Sequence, residues 1–254
     1  MKILIIPDVH GRDFWTNPCK DISEYDRVIF LGDYTDPYND EGISRMDTID
    51  NMQRIFHFKR TNKEKVTLLL GNHDLSYIDE DMPKCRYDYA NQMQINSLLM
   101  ADNADIFDIL YSTEYRGVKY LFSHSGVLLT WFDNLKKLNK WDILTDFDIV
   151  GFVNNRFHVS EDHACGILAY VSRYRGGWDR YSSPVWGDVR EFDNYMADKK
   201  ARHLKDTFQI FAHTRLNGTP IVTNDYACLD CSRAFVFEDG VLKELDGTKL
   251  EPIK

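Results

Sequence analysis

The chain has 254 residues, 43% hydrophobic and 28% charged, with a formal net charge of −9. A chain of that length can bury roughly three quarters of its unfolded surface, so one core needs no disulfide or metal staple. No run approaches the ~18 consecutive apolar residues of a membrane helix, and the acidic balance, with no Lys/Arg run to reverse it on one face, argues against a long nucleic acid as partner.

The elements follow in chain order. Ile3 to Ile6 is a short apolar run that leads into a polar cluster; it is too short for a secretory signal and reads as a first core strand. Arg27 to Leu31 and Val66 to Leu70 repeat the pattern, and the spacing predicts a helix over Ile43 to Lys59 between them. This alternation points to buried, mostly parallel strands in an α/β sheet. A helix is predicted over Asp88 to Met100, then a strand pair near Ile106 to Tyr115 and Val118 to Ser123. Few strand-like runs occur between Trp131 and Lys205. We expect one domain over 1–254, with a mainly helical and loop insertion at about 131–205 where substrate selectivity can reside. Thr207 to Ala212 resumes the sheet. Pro220 to Thr223, Tyr226 to Asp230, Arg233 to Glu238 and Val241 to Leu245 read as successive hairpin strands, with Asp239-Gly240 as a turn.

Each core run ends in a polar cluster: Asp8-Val9-His10, Gly32-Asp33-Tyr34-Thr35-Asp36, Gly71-Asn72-His73-Asp74, Ser123-His124-Ser125-Gly126 and Ala212-His213-Thr214. In open α/β sheets, ligands collect beyond the carboxyl ends of the strands, where these clusters fall. Asp8 and His10 can grip one divalent ion through an oxygen and a nitrogen, a donor pair that suits manganese, iron or zinc better than calcium. Asp33 has two oxygens to share between neighbouring ions. Asn72, His124 and His213 supply a second ion. Two ions about 3.5–4 Å apart can hold a bridging hydroxide and neutralise charge in an in-line attack on phosphorus. His73 is the candidate acid for the leaving oxygen, and Asp36 the carboxylate that orients it.

With these residues in this order, the sequence resembles the calcineurin-like metallophosphoesterases. Their string of Asp-x-His, Gly-Asp-x-x-Asp, Gly-Asn-His-(Asp/Glu), a lone His and Gly-His-x-(His/Thr) is matched from residue 8 to residue 214. The resemblance implies a four-layer α/β/β/α sandwich of two mixed sheets flanked by helices. It implies the same roles: Asp8 and His10 on the first metal, Asp33 bridging, Asn72, His124 and His213 on the second, His73 as acid and Asp36 as its partner. Arg215 stands where one branch has a second histidine. Ser183-Pro184-Val185-Trp186 and Cys228-Leu229-Asp230 also look like segments of the branch that holds PPP-type serine/threonine phosphatases and symmetrical dinucleoside polyphosphate hydrolases.

Two departures stand out. Ala212 replaces a glycine, and the protein-phosphatase branch follows Gly-Asp-x-x-Asp with a phosphate-clamping arginine where this chain has Pro37-Tyr38. Arg190, Arg215 and Arg12 are the candidate replacements. The expected activity is hydrolysis of a phosphomonoester, on a phosphoprotein or small phosphorylated molecule, or of a dinucleoside polyphosphate. A phosphodiesterase or nuclease is the alternative, and an inactive binding scaffold a further one.

The remaining motifs have bland readings. Five cysteines at Cys19, Cys85, Cys165, Cys228 and Cys231 form no disulfide framework, which points to a reducing, cytoplasmic setting. Cys228 and Cys231 read as buried thiols, and His158 and His163 as ordinary polar positions. The stretch from Tyr170 to Trp186, with Arg173, Arg175 and Arg180 interleaved, fits either a stacking surface for a base or phosphate or the core of the insertion.

Overall fold

The computed structural model describes residues 1–101, 103–138, 148–194, 204 and 207–252. The parts of the expected insertion at 139–147, 195–203 and 205–206 lie outside the described residues.

The first half of the chain lays down β1 (Lys2–Ile6), β2 (Arg27–Phe30), α1 (Arg45–Thr61), β3 (Val66–Leu69), α2 (Asn72–Ile78), α3 (Gln92–Asn96), β4 (Phe107–Asp108), β5 (Leu110–Tyr115) and β6 (Val118–Ser123). Between β6 and the next strand come α4 (Leu129–Leu138), α5 (Ile149–Val159), α6 (Cys165–Leu168) and α7 (Val189–Asn194). The chain closes with β7 (Thr207–Phe211), β8 (Ile221–Val222), β9 (Tyr226–Cys228), β10 (Phe235–Glu238) and β11 (Val241–Glu244).

Two mixed sheets result, ordered β11-β10-β1-β2-β3-β4 and β5-β6-β7-β9-β8. β1 to β4 run parallel in the first, and β6, β7 and β9 in the second. The period of two along each strand sorts its side chains between two cores. Ile3, Ile5, Ile29 and Leu69 pack with Phe122, Ile210, Phe235 and Phe237 in one apolar cluster. Leu4, Ile6, Phe30 and Leu68 belong instead to a cluster with Ile49, Met52, Ile55 and Phe56 of α1, and with Trp131, Val153 and Phe157 of α4 and α5. Strands buried on both faces explain the unbroken apolar runs of the sequence and give the helix, sheet, sheet, helix layering.

Local chemistry sets the boundaries. α1 starts two residues after the expected Ile43 because Ser44 caps it: the Ser44 hydroxyl accepts from the Asp47 amide, and the Asp47 carboxylate accepts from the Ser44 amide. The helix predicted over Asp88 to Met100 is shorter. The Asp88 carboxylate is occupied as a turn acceptor for the amides of Ala90 and Asn91, and α3 runs on into a π turn at Ser97–Ala101.

The strand predicted over Ile106 to Tyr115 is two strands in different sheets. The Asn154 side chain holds the corner, accepting from the amides of Ile109 and Leu110 and donating to Leu110 O. The last four strands are not successive hairpins either. β8 and β9 pair in the second sheet, whereas β10 and β11 pair in the first. The chain crosses between sheets over 229–234, because β10 closes the edge of β1, where Phe235 and Phe237 reach the intersheet core. Asp239 and Gly240 make the expected turn, at φ 52° and 86°.

Candidate active site

The loops leaving β1, β2, β3, β6 and β7 bring together Asp8, His10, Asp33, Asp36, Asn72, His73, His124 and His213, none more than 8% exposed. His10, Asp33, Asp36 and His213 all have positive φ, at 44°, 52°, 55° and 63°. Such a backbone costs about 1–3 kcal/mol per residue and persists only where the surroundings hold it. Here they do. The amide of His10 donates to Asp33 O at 2.6 Å, and the buried Asp74 carboxylate accepts from the amides of Asp33, Tyr34 and Gly71 at 2.7, 2.8 and 2.9 Å. Only glycine fits at 71, since a Cβ there would lie 2.1 Å from Asp33 Oδ1.

Backbone acceptors orient two of the imidazoles. His10 Nδ1 is 2.7 Å from Thr35 O and His124 Nδ1 is 2.9 Å from Leu31 O, so each ring donates there and turns its Nε2 inward. His10 Nε2 then faces Asp33 Oδ2 at 3.4 Å and Asp8 Oδ2 at 3.8 Å. On the other side, His124 Nε2 faces Asp33 Oδ2 at 3.4 Å, Asn72 Oδ1 at 3.2 Å and His213 Nδ1 at 2.9 Å. Asp33 Oδ2 thus stands between two nitrogen-lined groups, His10 with Asp33 and His73, and Asp33 with His124 and His213. Asp8 Oδ2 and His213 Nε2 are buried with no hydrogen-bond partner. Buried acceptors left unsatisfied are rare, and a buried carboxylate oxygen and imidazole nitrogen left so are electron-pair donors that a divalent cation satisfies. The residues present fit metal ions.

The ligand groups differ in charge: for His124 burial acts downward, but Asp33 and Asp8 outweigh it and carry the ring to about 9, so a bound cation would displace a proton there. Burial pushes His10 and His213 well below the usual imidazole range, which leaves them neutral as ligands must be. Burial raises Asp8 to about 6. For Asp33 burial acts upward too, but His124 and His73 outweigh it and hold the carboxyl well below its ordinary range.

His73 is set apart by its partners. Its amide donates to Asp33 Oδ1 at 3.0 Å, and its ring Nδ1 donates to Asp36 Oδ2 at 2.8 Å. The Tyr77 hydroxyl donates to Asp36 Oδ1 at 2.5 Å, which fixes the carboxylate from behind. Burial lowers the His73 pKa, but Asp33 and the Asp36 hydrogen bond more than offset it and carry it to about 10. His73 therefore holds a proton at neutral pH.

The candidate clamp arginines are all engaged by carboxylates. Arg12 pairs with Glu41 through two nitrogens at 2.9 and 2.8 Å, Arg215 reaches Glu41 at 3.1 Å, and Arg190 grips Asp188 at 2.7 Å. Arg175, Trp186 and Asp230 fall in stretches that the sequence marks without a definite role, whereas Arg86 and Tyr77 carry no signal. Arg175 donates to Thr214 Oγ1 at 2.8 Å and to His213 O at 3.3 Å, which ties the stretch between β6 and β7 to the last ligand loop. Trp186 packs edge-on to His213 with ring centres 6.0 Å apart. Arg86 and Tyr77 come from the segment after the Gly-Asn-His-Asp cluster, where no periodicity marks them. Asp230 is buried, and burial with the charge of Asp8 pushes its carboxyl well above the usual range.

His158 is exposed and lies 3.4 Å from Asp108, and neither it nor His163 joins a ligand group among the described residues. Cys228 and Cys231 are buried free thiols, with burial pushing Cys231 up to about 12. Within the aromatic stretch Tyr170 stacks on Tyr181 whereas Trp178 is 92% exposed, so it serves partly as core and partly as surface.

A sandwich of two mixed sheets with a buried Asp, His and Asn cluster at its strand ends defines the class of metal-dependent phosphoesterases. The sequence profile of the calcineurin-like phosphoesterases matches residues 1–214, and the chain belongs to that family, whose members use divalent metal ions to hydrolyse phosphoester bonds. Among solved structures, the cold-active protein-tyrosine phosphatase of the psychrophile Shewanella sp. superposes with a TM-score of 0.54 at 17% identity, over 98% of this chain and 79% of that one. A point mutant of the cold-active protein tyrosine phosphatase gives 0.55 at the same identity and coverage. These likenesses support the fold. No curated protein sequence matches the chain at a significant level.

Proposed function

We propose that the chain is a phosphomonoesterase with a dinuclear centre, in which Asp8 and His10 hold one ion, Asn72, His124 and His213 the other, and Asp33 both. The observation that carries this reading is Asp33 Oδ2, 3.4 Å from His10 Nε2 on one side and 3.4 Å from His124 Nε2 on the other. When bound, such a pair of ions activates water near neutral pH and neutralises the charge that develops at phosphorus. His73 gives its proton to the leaving oxygen, and Asp36, held by Tyr77, keeps the ring in register for that transfer. Burial of all eight side chains keeps bulk water from competing for these contacts.

The catalytic unit in this reading is one domain over 1–254, with the 131–205 stretch contributing Arg175 and Trp186 beside His213. The substrate is a phosphopeptide or a small phosphorylated molecule, with dinucleoside polyphosphates as a related class. Phosphotyrosyl peptides belong in the panel because the similar Shewanella enzyme is a protein-tyrosine phosphatase. Five free thiols support a reducing, cytoplasmic setting, and among the described residues no helix is long and apolar enough to cross a membrane.

The test is a side-by-side assay with manganese, iron or zinc on p-nitrophenyl phosphate, bis(p-nitrophenyl) phosphate, a dinucleoside tetraphosphate and a phosphotyrosyl peptide, with metal content measured on the same sample. Faster turnover of monoesters at about two ions per chain supports the reading. Preference for the diester favours the phosphodiesterase alternative, and inactivity on the whole panel favours the binding scaffold.

A further inference from the structure

The clamp arginine of the protein-phosphatase relatives is expected at position 37, where this chain has a proline, and position 38 beside it holds a tyrosine. Its ring meets His10 edge-on at 5.0 Å, and three guanidinium groups lie over it: Arg86 at 3.8 Å, Arg215 at 4.1 Å and Arg12 at 5.3 Å. Arg12 and Arg215 share Glu41. Arg86 differs. Among the described residues no carboxylate lies within 4.0 Å of its nitrogens. Its Nε donates to Asp36 O at 3.2 Å, and its Nη2 lies 3.2 Å from His10 Nε2, the nitrogen that faces Asp8 and Asp33. Its backbone is in the left-handed region at φ 52°, in the loop between α2 and α3. A half-buried guanidinium with no carboxylate within 4.0 Å among the described residues is thus held over an aromatic face beside His10.

We propose that Arg86, seated on Tyr38, receives the third non-bridging oxygen of a phosphate monoester and so selects monoesters over diesters. The inference rests on the reading of the site as a two-ion phosphoesterase. A monoester dianion has three non-bridging oxygens and a diester anion has two. Two ions can engage two of them, so only a monoester presents a further charged oxygen to a third cation. A diester would set a neutral ester oxygen and its organic group against the guanidinium, which gains little there. Arginine suits this task because its planar fork offers two parallel donors to one phosphoryl group. Tyr38 is a positioning residue: its face holds the guanidinium 3.8 Å from the ring centre, a contact that depends on the ring and not on the hydroxyl.

The experiment compares the metal-reconstituted wild type with Arg86→Gln, Arg86→Lys, Tyr38→Phe and Tyr38→Leu. Three quantities are read: kcat/KM on p-nitrophenyl phosphate and on bis(p-nitrophenyl) phosphate, the affinity for inorganic phosphate by calorimetry, and metal content. Arg86→Gln is expected to weaken phosphate affinity and monoester kcat/KM by about 10- to 100-fold, the range of one charge-assisted pair. Diester turnover should stay within about 3-fold and metal content should not change. Arg86→Lys should recover part of the loss, Tyr38→Phe should match the wild type, and Tyr38→Leu should fall between wild type and Arg86→Gln. Equal losses on monoester and diester, or an unchanged phosphate affinity in Arg86→Gln, would overturn the assignment. If the wild type hydrolyses neither substrate, the hydrolase reading fails by itself, while the phosphate titration still decides for or against Arg86.

Discussion

Around the floor of the site Asp8, His10, Asp33 and His124 are each fixed by a backbone atom of a neighbouring loop, whereas around its rim the long arginines are fixed by carboxylates and by the ring of Tyr38. On the floor, Thr35 O holds His10, Leu31 O holds His124, and the amide of His213 donates to Asp8 Oδ1 at 3.1 Å. On the rim, Arg12, Arg215 and Arg86 gather on Tyr38, and Arg175 and Arg190 share Asp188. A floor built from main chain tolerates almost no change, because a shifted loop moves its ligand with it. A rim built from side-chain pairs can exchange partners. In the proposed reading the chemistry of the reaction would therefore depend on the floor, and substrate preference on the rim.

The largest effects should come from the floor. Asp33→Asn removes the shared carboxylate charge and should lower metal affinity by more than about 100-fold, with activity falling alongside; elemental analysis after dialysis checks it. A full complement of ions in that variant would break the contrast at its centre. His73→Ala should reduce kcat on an alkyl phosphate by about 10²–10⁴ at constant metal content, and less on a nitrophenyl ester whose leaving group needs no proton. Equal losses on both esters would remove His73 from the acid role.

Asp74 tests the main-chain rule without replacing a ligand side chain, since it meets Asp33 only at its amide. Asp74→Asn leaves one oxygen for three loop amides and should lower stability by about 3 kcal/mol, read as a drop in the urea midpoint. An unchanged midpoint would mean that the loops hold themselves.

A smaller effect concerns pH. His73 has its folded pKa raised to about 10 from the ordinary 6.5, so the stability it contributes is fully present below about pH 6.5 and lost as pH rises through about 10. Chelator-treated wild type should therefore lose more stability between pH 7 and pH 10 than chelator-treated His73→Gln. Parallel losses in the two proteins would show that His73 has no such link. The smallest effect is chemical. Cys85 is the one exposed cysteine, and its hydrogen bond with His73 lowers its pKa, whereas burial raises those of Cys19, Cys165, Cys228 and Cys231. Iodoacetamide at pH 7.5 should label Cys85 first.

The same contrast explains what could be read from the sequence. Asp8, Asp33 and Asn72 lie just past apolar runs, so their placement at one sheet end follows from strand direction and the short reach of each loop. Gly71 and Asp74 are spelled out in the same cluster because the close approach to Asp33 admits no Cβ and needs a buried acceptor. Arg86 was not legible, since its role comes from stacking on Tyr38 across a loop with no repeating pattern. The break between β4 and β5 was hidden for a similar reason, as the side chain that turns the corner belongs to Asn154, 44 residues further on. The crossing between β9 and β10 depends on which sheet edge is open, a property of the assembled fold and not of the local run.

The most direct test of the shared-carboxylate centre is a metal titration of chelator-treated protein, followed in parallel by bound ions per chain and by hydrolysis of a phosphomonoester. Activity that rises with occupancy to about two ions per chain, and is lost in Asp33→Asn together with the ions, is the expected result. Full activity at one ion per chain, or in Asp33→Asn, would contradict it.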